Sequence, residues 1–191
     1  MRSEHKMEEE KLDANSISFI ALCHRYCVTL ESLADEATDS DDFCRSMLYM
    51  LPRLYMTAFD LGMSGDDISD YRDADSGDSV NEVLDEDAYT IVRDNIAAIM
   101  GSHDTFLETN VEDMRYSDTP IASSVSECLA DIYQSAYDFV ATAKELPAEM
   151  LPELLSDMKI RFRDYWSETL CNVLRILNSL YQRSELLSDN F

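Results

Sequence analysis

The sequence has only four glycines and four prolines in 191 residues, too few for the many turns of an all-β fold. It has no run of about 18 apolar residues, which argues against a transmembrane helix. Basic residues are scarce: 15 Lys and Arg stand against 39 Asp and Glu, for a formal net charge of −24. That charge opposes nonspecific binding to nucleic-acid phosphates or to an anionic membrane. It admits cations, a basic protein partner, or no partner. Histidine is limited to His5, His24 and His103. None has a Glu three residues before it, so the Glu-x-x-His pairs of di-iron bundles are missing. The cysteines are Cys23, Cys27, Cys44, Cys128 and Cys171, an odd number at apolar or border positions. They read as buried free thiols in a reducing cytoplasm, not as a disulfide framework. The amino-terminal MRSEHKMEEEKLD is charged and lacks the apolar core of a secretory leader, so the expected location is cytoplasmic.

What is present is helical periodicity. The chain is long enough to bury one real core, and its 46% hydrophobic content is ordinary for a globular domain. The spacing predicts an all-α, single-domain bundle of five or six largely antiparallel helices around a central helix at residues 119–144. Thr119-Pro120 reads as its start: a capping hydroxyl, then a proline where no intrahelical bond is lost. Ile121, Val125, Cys128, Leu129, Ile132, Ala136, Phe139, Val140 and Ala143 form one apolar arc. Ala122, Ser126, Ala130, Tyr133, Tyr137 and Ala141 form a second beside it. Two arcs imply neighbours on two sides. Glu127, Asp131, Gln134 and Asp138 are left as the polar face.

The remaining chain follows the same logic. Residues 1–12 read as a flexible tail and 184–191 as another, bounding a domain at 13–183. A first helix is predicted over 13–37, with Ile17, Ile20, Ala21, His24, Cys27, Leu30 and Ala34 inward. A second covers about 42–61, with Pro52 inside it, which predicts a kink or split near Met50-Leu51, and Gly62 as its stop. Residues 60–87 hold eleven acids against Arg72 alone, and 64–79 read as a mobile acidic loop. A third helix is predicted over 81–100, facing in with Leu84, Ala88, Ile91, Val92, Ile96 and Ile99, and ending at Gly101. Residues 104–110 read as a short helix. One long last helix should run from Ala148 or Pro152 to about Tyr181, with Phe162, Tyr165 and Trp166 inside. No strand of useful length is evident.

The stretches YSDTPIASSVSECLADIYQSAYDFVATAK (116–144), YWSETLCNVLRILNSL (165–180) and MLYMLPRLYMTAFDL (47–61) resemble an uncharacterised all-helical bacterial family. Its members carry a domain of unknown function and are common in gut anaerobes. The resemblance spans roughly residues 15–183, and SDTPIA followed by SECLADIYQ is its most specific part. It implies a soluble bacterial helical domain and brings no activity or catalytic residues.

Several residues could carry chemistry. Glu127 and Asp131 are four apart on the central helix, and Glu108 and Glu112 repeat that spacing upstream. Carboxylates on adjacent helices can hold Mg²⁺ or Mn²⁺, which positions a phosphate and activates water. Helical nucleotide pyrophosphohydrolases use such pairs, but with acids three apart, so a solvated face or structural hydrogen bonding is the plainer reading. Cys23, His24 and Cys27 offer two thiols and an imidazole without the further pair zinc requires. A core-facing His24 between packed cysteines is expected, and a catalytic Cys-His pair has no oxyanion partner in view. Asp73 to Asp78 resembles the start of a calcium loop, but its glycine is one position early and Leu84 stands where a bidentate Glu is needed. Lys159, Arg161 and Arg163 form the lone basic cluster, expected to pair within the molecule or to mark a partner contact. Tyr116, Tyr133, Tyr137, Tyr165 and Trp166 could line a pocket, although aromatics at helical spacing are more often core.

Two functions from different classes follow. One is a soluble cytoplasmic interaction or regulatory protein without cofactor, engaging a basic protein partner. The other is a divalent-metal-dependent hydrolase of nucleotides or other phosphate compounds. Composition and spacing give neither the oligomeric state nor the partner.

Overall fold

The computed structural model describes residues 12–34, 38–62, 80–107 and 122–188. Helix α1, Ala14–Glu31, starts where the Asp13 carboxylate accepts from the Ser16 amide at 2.6 Å, and passes into a 3₁₀ turn, Ser32–Ala34. Helix α2, Ser40–Phe59, is capped in the same way by Asp39, and α3, Glu86–Met100, by Asp85. Gly101, at φ 53°, closes α3 with a backbone conformation that side-chain-bearing residues avoid. Two short strands follow, β1 (Thr105–Leu107) and β2 (Ala122–Ser124), paired antiparallel with Phe106 opposite Ser123. Helix α4, Val125–Glu145, comes next. Helix α5, Leu151–Arg161, continues through a π-helical turn, Phe162–Trp166, into α6, Ser167–Ser188.

Helix α4 is the centre of the bundle, in contact with α1, α3, α5 and α6, while α2 lies between α1 and α6. Both of its predicted arcs are used. Val125, Cys128, Leu129, Ile132, Ala136, Phe139 and Val140 are buried, and so are Ser126, Ala130 and Tyr133. Phe19 of α1 meets Phe139 at 5.3 Å between ring centroids, and the Tyr26 hydroxyl donates to the Leu129 carbonyl at 2.9 Å. A buried Tyr needs such a partner for its polar end. The cysteines are all free; Cys171 is exposed and the others are buried. None of the described helices is long and apolar enough to cross a membrane.

The structure corrects several element boundaries. Helix α4 begins at Val125, after Ala122–Ser124 has paired as a strand, and not at residue 119; Thr119, Pro120 and Ile121 lie outside the described residues. Its start is fixed by a double cap. The Ser124 side chain accepts from the Glu127 amide at 3.2 Å, and the Asp104 carboxylate accepts from the Ser126 amide and hydroxyl, each at 2.8 Å. That use of Asp104, with the strand pairing that follows it, replaces the start of the short helix expected at 104–110, of which residues 108–110 lie outside the described residues. Helix α3 starts at Glu86 because the amides of Asn81, Val83 and Leu84 are taken by side chains of α4.

Orientation is corrected too. Helix α1 has apolar residues on every side, so periodicity placed its inward face only in part: Cys27 and Leu30 are buried as expected, together with Phe19, Cys23 and Tyr26, while Ile17, Ala21, His24 and Ala34 are exposed. In α3 the inward line is Val92, Ile96 and Met100, and Ile91 faces outward. Pro52 does not split α2, which runs through it unbroken. The π turn shifts the helical phase between α5 and α6. Trp166 and Leu170 enter the core, and Tyr165 is left 75% exposed.

Candidate functional site

The α4 carboxylates singled out for metal chemistry are engaged in structural bonds. Glu127 stands three residues after the capping Ser124, and the Ser124 hydroxyl donates to its carboxylate at 3.0 Å. The Glu127 amide donates to that same hydroxyl oxygen at 3.2 Å, so Ser124 caps the helix and its carboxylate partner places a negative charge at the positive helix end. Asp131, one turn further on, accepts from the Tyr89 hydroxyl of α3 at 2.7 Å. Burial, then that bond, pushes the Tyr89 phenol well above its ordinary value. Both carboxylates remain exposed. Glu108 and Glu112 lie outside the described residues, as do Asp73 to Asp78 and the acidic stretch at 64–79. Among the described residues no group of three or more His, Cys, Asp or Glu is placed to hold a metal ion.

Asp138 was expected on this polar face and is instead 1% exposed. One of its oxygens accepts from the Val83 and Leu84 amides, both at 2.8 Å, and Thr142 one turn on accepts from the Asn81 amide at 3.1 Å. Residues 81–84 are thereby strapped along α4. The signal was an acid flanked by apolar residues, Tyr137 and Phe139, on a helix whose neighbours surround it.

The strap forms one wall of a cleft of about 440 Å³ between α1 and the carboxyl-terminal half of α4. His24, Cys27 and Glu31 line it from α1, Asn81 and Val83 from the strap, and Tyr137, Thr142 and Lys144 from α4. His24 thus faces this cleft, not the core. Burial, then the Glu31 carboxylate, pushes the Cys27 thiol up to about 12. It stays protonated at neutral pH and is not an activated nucleophile, in spite of His24 on the same cleft. The Tyr133 hydroxyl donates to Glu31 at 3.0 Å, and burial and that bond raise its phenol well above normal. Cys23 points into the core, so Cys23, His24 and Cys27 do not converge.

The basic cluster is spent inside the molecule. Lys159 donates to the Leu61 carbonyl, Arg161 donates to the Val80 carbonyl at 3.0 Å, and Arg163 pairs with Asp164 at 2.6 Å. Of the aromatic set, Tyr133 and Tyr137 meet at 5.7 Å between ring centroids, Trp166 is core, Tyr165 is exposed, and Tyr116 lies outside the described residues.

No curated protein matches the chain. Among solved structures it is similar to protein BF1032 from Bacteroides fragilis, at 26% identity and a TM-score of 0.66, over 88% of this chain and 92% of that one. Residues 10–183 match the family described as a domain of unknown function, DUF5063, and the chain belongs to that family.

Proposed function

We propose that the protein is a soluble cytoplasmic interaction module that engages a basic protein partner through a preorganised acidic surface. The observation that carries this reading is the state of the α4 carboxylates: Ser124 holds Glu127 and Tyr89 holds Asp131, yet both stay open to solvent. The bond from Tyr89 also joins this surface to α3, whose first turn adds the exposed Glu86 and Asp87. Fixed, solvent-facing charge of one sign speeds encounter and sets partner choice more than it sets affinity. The net charge of −24 extends the attraction beyond the contact itself.

The test is retention of proteins from a bacterial extract on the immobilised full chain, compared with a Glu86→Gln/Asp87→Asn/Asp131→Asn variant. Defined basic proteins should be held at low salt, released by about 0.3 M salt, and lost on the variant. No retained partner at low salt counts against the reading. Turnover of a nucleotide panel that requires Mg²⁺ or Mn²⁺ and disappears in Glu127→Gln would replace it with the hydrolase, in which Glu108 and Glu112 complete the ligand set.

A further inference from the structure

The chain's many acids are not spread evenly. No Asp or Glu occurs in residues 14–30, which make up nearly all of α1, or in residues 43–59 of α2. These helices lie side by side. The Asn15 side chain donates to the Thr57 carbonyl at 2.9 Å at one end, and Arg25 reaches the ring of Tyr49 at the other, so they run antiparallel. Their outer face carries Ile17 from α1 and Tyr49 and Met56 from α2, each more than half exposed. Tyr49, Arg53 and Met56 share one side of α2 by their spacing.

Two cations sit within this apolar surface. The Arg53 guanidinium carbon lies 3.6 Å from the centroid of the Tyr49 ring, and that of Arg25 lies 5.8 Å from it. Arg53 also donates to the Tyr49 carbonyl, which holds its planar group against the ring. Among the described residues the ion pairs fall elsewhere, at Arg45–Asp42, Arg93–Asp94 and Arg163–Asp164. Among the described residues, Arg25 and Arg53 therefore present guanidinium groups with no carboxylate against them, in a chain where carboxylates outnumber cations more than twofold.

We propose that the outer face of α1 and α2 is a docking surface for an acidic, partly apolar segment of a protein partner. Guanidinium forks pair with carboxylates in two-pronged fashion, and a ring beneath them fixes their orientation before binding. Ile17 and Met56 give such a segment's apolar residues a place to lose water. The occupant is a short segment because Asp13 and Asp60 bound the face at one end, and Asp41 and Asp42 at the other. An extended polyanion such as nucleic acid, or a lipid surface, would meet those carboxylates. A second copy docked face to face would set Arg25 and Arg53 against their own kind. The charge required here is opposite to that of the basic partner above, so the two readings fail separately.

The probe is a labelled synthetic peptide with glutamate and leucine at helical spacing, titrated into the full chain and followed by fluorescence anisotropy. An otherwise identical peptide with lysine for glutamate reports on the acidic surface instead. Arg25→Glu/Arg53→Glu, checked for unchanged helicity, should weaken the acidic peptide about tenfold or more. Arg25→Gln/Arg53→Gln should weaken it less, and the lysine peptide should bind the variants no worse than the wild type. No binding of the acidic peptide, or equal binding to the Glu variant, overturns the proposal. So does a wild-type dimer in sedimentation that the Glu variant abolishes, which would give the face to a second copy. Binding to anionic vesicles that the Glu variant abolishes would give it to a membrane.

Discussion

A single oxygen of Asp138 lies 2.8 Å from the backbone nitrogen of Val83 and 2.8 Å from that of Leu84. One buried side chain of the central helix thus sets the path of a segment more than fifty residues before it. Replacing Asp138 by alanine should cost about 2–4 kcal/mol, because it removes charged acceptors from two amides. Asparagine should cost less. Hydrogen exchange at Val83 and Leu84 is the specific readout: both amides should exchange faster in either variant, while those of α4 stay slow. Unchanged protection at both would show that the strap holds without Asp138.

The start of α4 gives a second expectation. Asp104 accepts two hydrogen bonds from Ser126, and Ser124 accepts one from Glu127. Asp104→Ala and Ser124→Ala should each destabilise by about 1–2 kcal/mol in urea unfolding. Because both cap the same helix end, the double variant should cost less than the sum. Strict additivity would mean that the two caps act independently.

Alkaline pH should unfold the protein early. In the unfolded chain a thiol ionises near its ordinary 9.0, whereas burial in the fold holds Cys27 protonated to about 12 and Cys44 to about 11. Above pH 9 the unfolded state sheds protons that the native state keeps, so stability falls as pH rises. The loss runs from about pH 9 to 12, at a limit of about 1.4 kcal/mol per pH unit for each fully shielded thiol. Cys27→Ala should flatten the slope of melting temperature against pH in that window, whatever its effect at pH 7. An equal slope in the variant would assign the effect to other groups.

Pro52 occupies an interior position of α2 without breaking it. Its ring removes one intrahelical amide and crowds the turn before it. Pro52→Ala should therefore raise stability by about 1 kcal/mol, less than the full helix-interior difference because the surrounding packing already accommodates the ring. A fall in melting temperature would show that the ring itself fills space the core depends on.

How much of this was legible in the sequence depends on the kind of signal. The fold class and the central helix were, because Val125 to Val140 repeats apolar residues over about four turns and no alternating pattern competes. Gly101 was legible as a stop, since only a residue without Cβ suits its backbone angle. The face of α1 was only partly so. With Ile17, Phe19, Ile20, Leu22, Cys23, Tyr26 and Val28 all apolar, rotation about the helix axis is left to the neighbours. The role of Asp138 was hidden for the opposite reason. Its acid type matched the polar stripe of Glu127 and Asp131, and the amides that bury it come from elsewhere in the chain. Tyr165 was misplaced because a π turn adds a residue to the helical count, and no residue type announces one. Glu127 was weighed as a metal ligand beside the plainer reading of structural hydrogen bonding, and in the structure it bonds the Ser124 hydroxyl. Ser124 went unread as a cap because the helix was started at Thr119.

Lys159 and Arg161, two residues apart on α5, hold the carbonyls of Leu61 and Val80. The bundle therefore receives the chain at residue 62 and takes it up again at residue 80 through anchors that belong to another helix. Each doubling of a connecting length costs only about 0.6 kcal/mol in closure entropy. What fixes the spacing of the two chain ends is therefore the pitch of α5, which sets Lys159 and Arg161 on their carbonyls.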